Sequence, residues 1–465
     1  MAMQEYDAII IGAGQGGGPL SSALAKAGKR VAIVERAHAG GTCVNEGCTP
    51  TKTMIASGRV AYLARRGADY GIHTGSITVD QEQIRHRKRA IVESFRSGSE
   101  SGLTGTKGLD LIWGEARFTG PKTLMVRLNA GGETELRAET IIINTGERPA
   151  QPDLPGIETV TVLDSTSIME LDTVPDHLVI IGGGYIALEF GQLFRRLGSA
   201  VTVVQRGKQL LAREDADMAA AVADVLREDG LTILLETTAA SVAATATGGV
   251  TLTVRGPEGE RTIAGSHLLA AAGRTRNTDR LGLDAAGVAT NKRGSIPVNE
   301  RLETNVPGIY AIGDVNGGPA FTHISYDDYR ILKTNLAGAG GTSTTDRLVP
   351  YTVYTDPQFG RVGLGEDEAR KAGRRVRVAK MPMSSVARAL ETDETRGQMK
   401  VLVDPDTDQI LGAAIFGVEG GEIMSMLQIA MMGKLPYTAL RDAVFAHPTF
   451  AESLNNLFGS FEGEE

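Results

Sequence analysis

Short apolar runs punctuate the first two hundred residues, each leading into glycine and then into a stretch of helical periodicity. Tyr6–Ile11 is apolar enough to be buried on both faces, which predicts a parallel strand. Pro19–Gly28 predicts a helix, and Lys29–Val34 the next strand, ending in Glu35. The pattern then recurs. His177–Ile181 predicts a strand, Leu188–Leu197 a helix, and Ala200–Val204 a strand ending in Gln205. Between the copies, helical character runs through Thr53–Arg66, Trp113–Phe118 reads as a strand edge, and Glu139–Asn144 as another strand before a turn at Thr145-Gly146. Pro149, Pro152 and Pro155 stiffen the next segment, as suits a domain boundary. Pro307–Asp314 predicts a short strand ending in an acid. Beyond about residue 345, Val349–Val362, Arg375–Ala379, Gln398–Asp404 and Gln409–Gly417 alternate as antiparallel strands. Glu422–Met432 carries Met424, Met426, Leu427 and Met431 at helical spacing, a face for core or subunit packing.

The glycines give the repeat its chemistry. Gly12, Gly14 and Gly17 form GxGxxG between a strand and a helix, which is the context a dinucleotide site requires. Gly12 permits the tight turn, Gly14 the approach of backbone N–H groups to a pyrophosphate, and Gly17 close packing of helix on strand. Glu35 is placed to bond a ribose hydroxyl. Gly182, Gly184 and Ala187 repeat the motif, and Glu35 and Gln205 each stand 23 residues after the first glycine of their copy. Two matched copies imply two dinucleotides. Glu35 suits a free ribose diol. Gln205 has no charge to repel a 2′-phosphate, and Arg206, Lys208 and Arg213 follow it, which favours NADPH over NADH in the second site. Solvated cations and an NADH site are the plainer alternative. The fold expected is α/β, with two Rossmann-like dinucleotide-binding domains followed by an α+β domain. The expected spans are 1–150 for the first domain, 151–272 for the second, 273–345 for the return of the first, and 346–465 for the last.

Composition narrows the class. The chain has 465 residues, 42% hydrophobic and 22% charged, with a net charge of −8 that argues against a general nucleic-acid binder. The basic cluster Arg85–Arg89 therefore reads as a solvated helix face. The start has no basic segment and no apolar run long enough for a signal or a span, so no membrane association and a cytoplasmic location are expected.

Only two cysteines occur, Cys43 and Cys48, inside Gly41–Thr53. A disulfide there closes too small a loop to be a useful staple. A dithiol that cycles with a disulfide at a helix start is the chemical reading, because the helix N-terminus favours the reactive thiolate. Two buried thiols, or half a zinc site, is the bland one; zinc needs further ligands, and no metal site is expected. Near the end stands His447-Pro448-Thr449-Phe450-Ala451-Glu452. Pro448 fits a first helical position, and Glu452 about one turn on could orient the imidazole as an acid/base.

These motifs, in this order over essentially the whole chain, resemble the class I pyridine nucleotide-disulfide oxidoreductases, the flavoprotein disulfide reductases that include glutathione reductase, dihydrolipoamide dehydrogenase and mercuric reductase. The likeness is closest to the mercuric-reductase-like group with the reactive-chlorine-resistance flavoprotein, through Asn144-Thr-Gly146, Phe321–Arg330, Leu435-Pro-Tyr437 and Glu452–Leu457. The resemblance implies FAD on Gly12, Gly14, Gly17, Glu35, Thr42, Lys52, Ala116, Thr145, Gly146 and Asp314. It implies NADPH on Gly182, Gly184, Ala187, Gln205, Arg206 and Gly273, with Tyr185 gating the flavin face and Glu189 pairing with Lys52. It further implies that Cys48 faces the flavin, that Cys43 attacks the substrate, and that His447, held by Glu452, carries the proton. It makes the last domain a dimerisation domain, with the histidine supplied by the partner of a homodimer.

Two departures qualify it. Mercuric reductases carry a C-terminal cysteine pair, and the tail 458–465 has none. Thr49 stands where Ile or Val usually follows the second cysteine. The activity expected is reduction of a small oxidant such as hypothiocyanous or hypochlorous acid, or of a metal ion. Dihydrolipoamide dehydrogenase is the alternative enzyme, and a redox-sensing dithiol partner the alternative of another class.

Overall fold

A computed structural model of the chain describes residues 3–246, 248–338 and 340–462. The outermost residues of the first and last expected domain spans, and the end of the cysteine-free tail, lie outside the described residues. Two compact units emerge, one of residues 1–53, 83–150 and 273–347, the other of 54–82, 151–272 and 348–465.

In the first unit, β1 (Gln4–Ile11) leads into α1 (Gly17–Lys26) and β2 (Val31–Glu35). Next along the chain come helix α2 (Cys48–Arg65), most of which belongs to the other unit, and helix α3 (Gln81–Thr104). Then come β3 (Leu109–Gly120), β4 (Thr123–Leu128) and β5 (Glu133–Ile143). Strand β1 lies between β2 and β5, parallel to both, with Ile10 opposite Ile33 and Ile142. The alternation along β1 explains the unbroken apolar run. Ala8 and Ile10 pack with Leu20, Leu24 and Leu103, whereas Ile9 and Ile11 pack on the opposite side with Val34, Phe118, Val126 and Ile141. Both faces are covered, so every residue of the strand's second half must be apolar.

The second GxGxxG copy builds the same order in the other unit: β6 (His177–Ile181), α4 (Tyr185–Leu197), β7 (Ala200–Val204), α5 (Ala216–Glu228), β8 (Thr232–Leu234) and β9 (His267–Ala270). Strand β6 is parallel to β7 and β9. A three-stranded antiparallel sheet, 238–265, packs Val242, Leu252 and Val254 against Val179 and Leu268. After this excursion β10 (Ile309–Ala311) returns to the first sheet beside β5, Ile309 opposite Ile141. Helix α6 (Thr322–Leu336) follows it.

The C-terminal sheet orders β11 (Tyr351–Val353), β12 (Gln358–Gly363), β15 (Ile410–Gly417), β14 (Gln398–Val403) and β13 (Arg377–Pro382), all antiparallel. Val349–Val362, expected as one strand, is a hairpin: β11 and β12 pair antiparallel, Tyr351 opposite Arg361, and the chain bends at 355–357 between them. Helix α7 (Gly420–Met432) lays Met424 and Leu427 on the sheet and leaves Met432 exposed. Among the described residues no helix is long and apolar enough to cross a membrane.

Candidate active site

The first glycine turn and the cysteine loop face one cleft. Gly12 turns with φ +104°, and a Cβ there would meet the Asn144 carbonyl oxygen at 2.4 Å. A Cβ on Gly17 would strike the Gly12 oxygen at 2.3 Å, and one on Gly41 the Gly14 Cα at 2.7 Å. Glycine is therefore needed at all three positions for helix, strand and cysteine loop to approach this closely. Asn144 had no role assigned from sequence, yet its Nδ2 donates to the Gly12 oxygen at 3.1 Å and pins the turn. An Asn at the end of a buried apolar strand was the available signal.

Glu35 accepts from the Ala13 and Ala37 amides at 2.9 and 2.8 Å, which fixes its carboxylate at the cleft wall. Thr42, Ala116, Thr145, Gly146 and Asp314 line the same cleft. Asp314 sits in the turn after β10, and among the described residues its carboxylate has no hydrogen-bond partner. Burial pushes its pKa up, against the pull of Arg274 and Arg276. Those two arginines are themselves engaged by Glu147. A glycine cradle open to a helix start, a Glu35 carboxylate fixed at the strand end and an Asp314 carboxylate lining the same cleft together fit a dinucleotide of FAD's kind. Gly273, at φ +146°, stands where the chain re-enters the first unit.

Cys43 lies in the short helix Gly41–Asn45, and Cys48 opens α2. Both are thiols here, Cys43 half-buried and Cys48 exposed. The Cys43 thiol is pushed up by its hydrogen bond with Cys48, then by burial and by the Cys48 charge, while Thr322 and Lys52 pull it the other way. Both the hydrogen bond and the burial therefore favour the protonated form of Cys43. Lys52 is not among the cleft-lining residues, but its ammonium is near enough to act on Cys43. Thr322, the first residue of α6, places its hydroxyl 3.3 Å from the Cys48 sulfur. Asn45 braces the loop by donating to the Ala39 and Gly41 oxygens at 2.9 Å each, and it accepts from Arg96 at 2.8 Å. Neither Thr322 nor Arg96 was legible as a neighbour of the dithiol, because each lies far away in sequence.

In the other unit, Gly182 turns with φ +118° under the Ala271 oxygen, and Gly184 has open space around it at the start of α4. Tyr185 is exposed, Ala187 buried. Gln205 folds back, donating to the Gln209 oxygen at 3.1 Å. Glu189 is buried and accepts from the Tyr354 amide at 2.9 Å. His447 Nδ1 lies 2.8 and 3.0 Å from the two Glu452 oxygens. Pro448 is not a first helical residue. It follows a cis peptide in a bend, and the helix starts only at Ser453. Thr449 makes the turn instead, donating to the Ala446 oxygen and accepting from the Glu452 amide.

Two glycine-turn strand–helix–strand repeats, a cysteine pair after the first and a terminal antiparallel sheet define a pyridine nucleotide-disulphide oxidoreductase. Residues 6–328 match that family, and residues 349–458 match its dimerisation domain. The chain belongs to it, as an NAD(P)H-dependent flavoprotein disulfide reductase; the family uses FAD and a pyridine nucleotide. It is 39% identical to the probable pyridine nucleotide-disulfide oxidoreductase RclA of Escherichia coli, over 98% of this chain and 99% of that one. It is 36% identical to a mercuric reductase of Staphylococcus aureus, over 97% of this chain and 81% of the relative. A solved Cu(II) complex of the HOCl-induced flavoprotein disulfide reductase RclA from Escherichia coli superposes with a TM-score of 0.89 at 38% identity, covering 98% of this chain and 99% of that one.

Proposed function

We propose that this chain uses NADPH to reduce a small oxidant, of the hypochlorous or hypothiocyanous acid kind or a metal ion, through the Cys43–Cys48 pair. The observation that carries the reading is the hydrogen-bonded Cys43–Cys48 pair, with Cys43 on the wall of the cleft, in a chain with no other cysteine. Relatives whose names point to HOCl, Cu(II) and mercury support the substrate class.

FAD, bound along Gly12, Gly14, Gly17, Glu35, Thr42, Ala116, Thr145, Gly146 and Asp314, supplies the two-electron transfer from nicotinamide to disulfide. The protein's residues do the rest. Cys48 faces the cofactor, and Thr322 steadies its sulfur. Cys43, at the loop tip held by Asn45, is the sulfur that meets substrate. With hypothiocyanous acid, Cys43 takes the SCN group and hydroxide leaves; Cys48 then displaces thiocyanate and the disulfide re-forms, two electrons having passed. His447, oriented by Glu452, carries the proton, and Lys52, paired with Glu189, serves the nicotinamide side. Tyr185 gates that side. Gly182, Gly184, Ala187, Gln205, Arg206 and Gly273 serve NADPH. Ile429, Met432, Leu435 and Val444 are exposed apolar residues near His447 in sequence, and they support a homodimer in which that histidine serves the partner. The four domain spans expected above follow the same reading, as does a cytoplasmic location, where dithiols cycle rather than staple.

Cys43→Ser tests it. The variant should be reduced by NADPH as the wild type is, yet turn over no oxidant. Full turnover by the variant overturns the dithiol route, and efficient lipoamide turnover with NADH by the wild type would install the dihydrolipoamide alternative.

A further inference from the structure

The segment after β7 is a closed strap. Gln205 donates from Nε2 to the Gln209 oxygen at 3.1 Å, and Gln209 donates from its own Nε2 to the Glu214 oxygen at 2.9 Å. One side chain and its carbonyl therefore tie both ends of the segment to its middle. Leu211, in a left-handed conformation at φ +44°, donates its amide to the Gly183 oxygen at 2.9 Å and anchors the strap on the second glycine turn. Gly183 in turn has no room for a side chain, since a Cβ there would lie 2.9 Å from Leu210 and 3.0 Å from Gln205. Glu236 donates its amide to the Gly207 oxygen and closes the outer edge.

The strap presents Arg206, Lys208 and Arg213, all exposed. Among the described residues none of the three has an ion pair or a hydrogen bond. The buried and half-buried arginines of this unit are instead engaged within the protein: Arg196 with Asp229, Arg361 with Glu214, Arg396 with Asp229. Unengaged cations on a rigidly tied loop are an arrangement for an anion that arrives from outside. Because Gln205 is folded back onto Gln209, it is not extended towards a ribose diol as an acid at this position would be.

We propose that Gln209 is a positioning residue for nucleotide choice, holding the strap in the shape that lets its cations take the 2′-phosphate of NADPH. The inference rests on the NADPH reading above. Gln209 touches no nucleotide itself; it acts through the loop. An unbraced strap keeps its charges but spreads them over many conformations, so the loss falls on the phosphate and not on the adenosine or nicotinamide common to both coenzymes.

The test measures equilibrium binding of adenosine 2′,5′-bisphosphate and of AMP to the flavin-loaded enzyme, for wild type, Gln209→Leu and Arg206→Ala. Single-turnover reduction by NADPH and by NADH gives the same comparison with the full coenzymes. Gln209→Leu should weaken the bisphosphate and NADPH by about tenfold, the loss of roughly one hydrogen bond's worth of order, and leave AMP and NADH within about twofold. Equal losses for both nucleotides, as from general damage to the unit, overturn the proposal, and so does no loss for either. Gln209→Met, which keeps the length and neutrality but cannot donate, should behave as Gln209→Leu does and guards against a leucine variant that fails to fold. If Arg206→Ala discriminates and the Gln209 variants do not, this inference alone fails. If Arg206→Ala does not discriminate, the NADPH reading fails with it.

Discussion

Removing the Glu452 carboxylate isolates the proton-carrying step. Glu452 reaches His447 Nδ1 with both oxygens, at 2.8 and 3.0 Å, and His447 is exposed in the chain. An exposed ion pair contributes about 0–1 kcal/mol to stability, so Glu452→Ala should fold normally. The backbone turn is independent of the carboxylate, because the Glu452 amide donates to Thr449. The rate is a different matter. A charge-assisted hydrogen bond that orients and stabilises an imidazolium during proton transfer contributes about 1.5–3 kcal/mol, or about 10- to 150-fold in rate. Glu452→Gln keeps an acceptor for Nδ1 but loses the charge, so its loss should be smaller, about three- to tenfold. Stopped-flow kinetics separate the halves: reduction of the enzyme by NADPH, then its reoxidation by substrate. Only the second half should slow. If Glu452→Ala slows both halves alike, or leaves reoxidation within about twofold of wild type, the assignment of His447 and Glu452 is wrong.

Two further predictions concern the scaffold. Glu214 is buried beside Arg361 and Tyr351, and burial pushes its pKa up from 4.5 to about 7, with Asp215 and Glu368 adding to the rise and Arg361 opposing it. The folded state then binds the proton more tightly than the unfolded state, so this residue's contribution is full below about pH 4.5 and falls as pH rises towards 7, by about 3 kcal/mol in all. Thermal midpoints of wild type and Glu214→Gln should shift against the wild type between pH 5 and pH 8; a constant difference refutes the assignment. Gly17→Ala should lose FAD on purification, since its Cβ would meet the Gly12 oxygen at 2.3 Å and Asn144 Nδ2 at 2.6 Å, whereas Gly98→Ala in α3, with open space around it, should gain about 0.5–1 kcal/mol of stability and keep its flavin. Equal flavin content in both variants would remove the close-packing argument.

What was legible in the sequence was whatever is local. Strands β1, β2, β6 and β7 could be read because burial on both faces leaves no polar position to blur them. The glycine turns could be read because their spacing is a backbone requirement, and His447 with Glu452 because five residues separate them. The misreadings were local rules overridden by the chain's path. Pro448 suits a helix start in general, but here a Thr449-closed bend occupies its place. Val349–Val362 reads as continuous until the bend at 355–357 splits it. Unread entirely were contacts that close over long stretches of chain: Thr322 on Cys48, Arg96 on Asn45, Asn144 on Gly12. No periodicity encodes these, since each joins elements whose adjacency only the sheet order creates.

The return of β10 to β5 also sets an order of events during synthesis. Strand pair 147–149 and 274–276 brings the two ends of the excursion together, and the Ala150 amide donates to the Gly273 oxygen at 3.1 Å. The excursion is contiguous, and its parallel sheet can be completed once Ala270 has emerged. The flavin-side sheet cannot be completed then, because its edge strand Ile309–Ala311 is still to come. At ribosomal rates of about 5–20 residues per second, β5 waits on the order of ten to thirty seconds for that neighbour. Of the two parallel sheets, the one that begins the chain is thus the later to be completed, and for that interval the 141–143 edge of β5 stands unpaired and in need of a chaperone's cover.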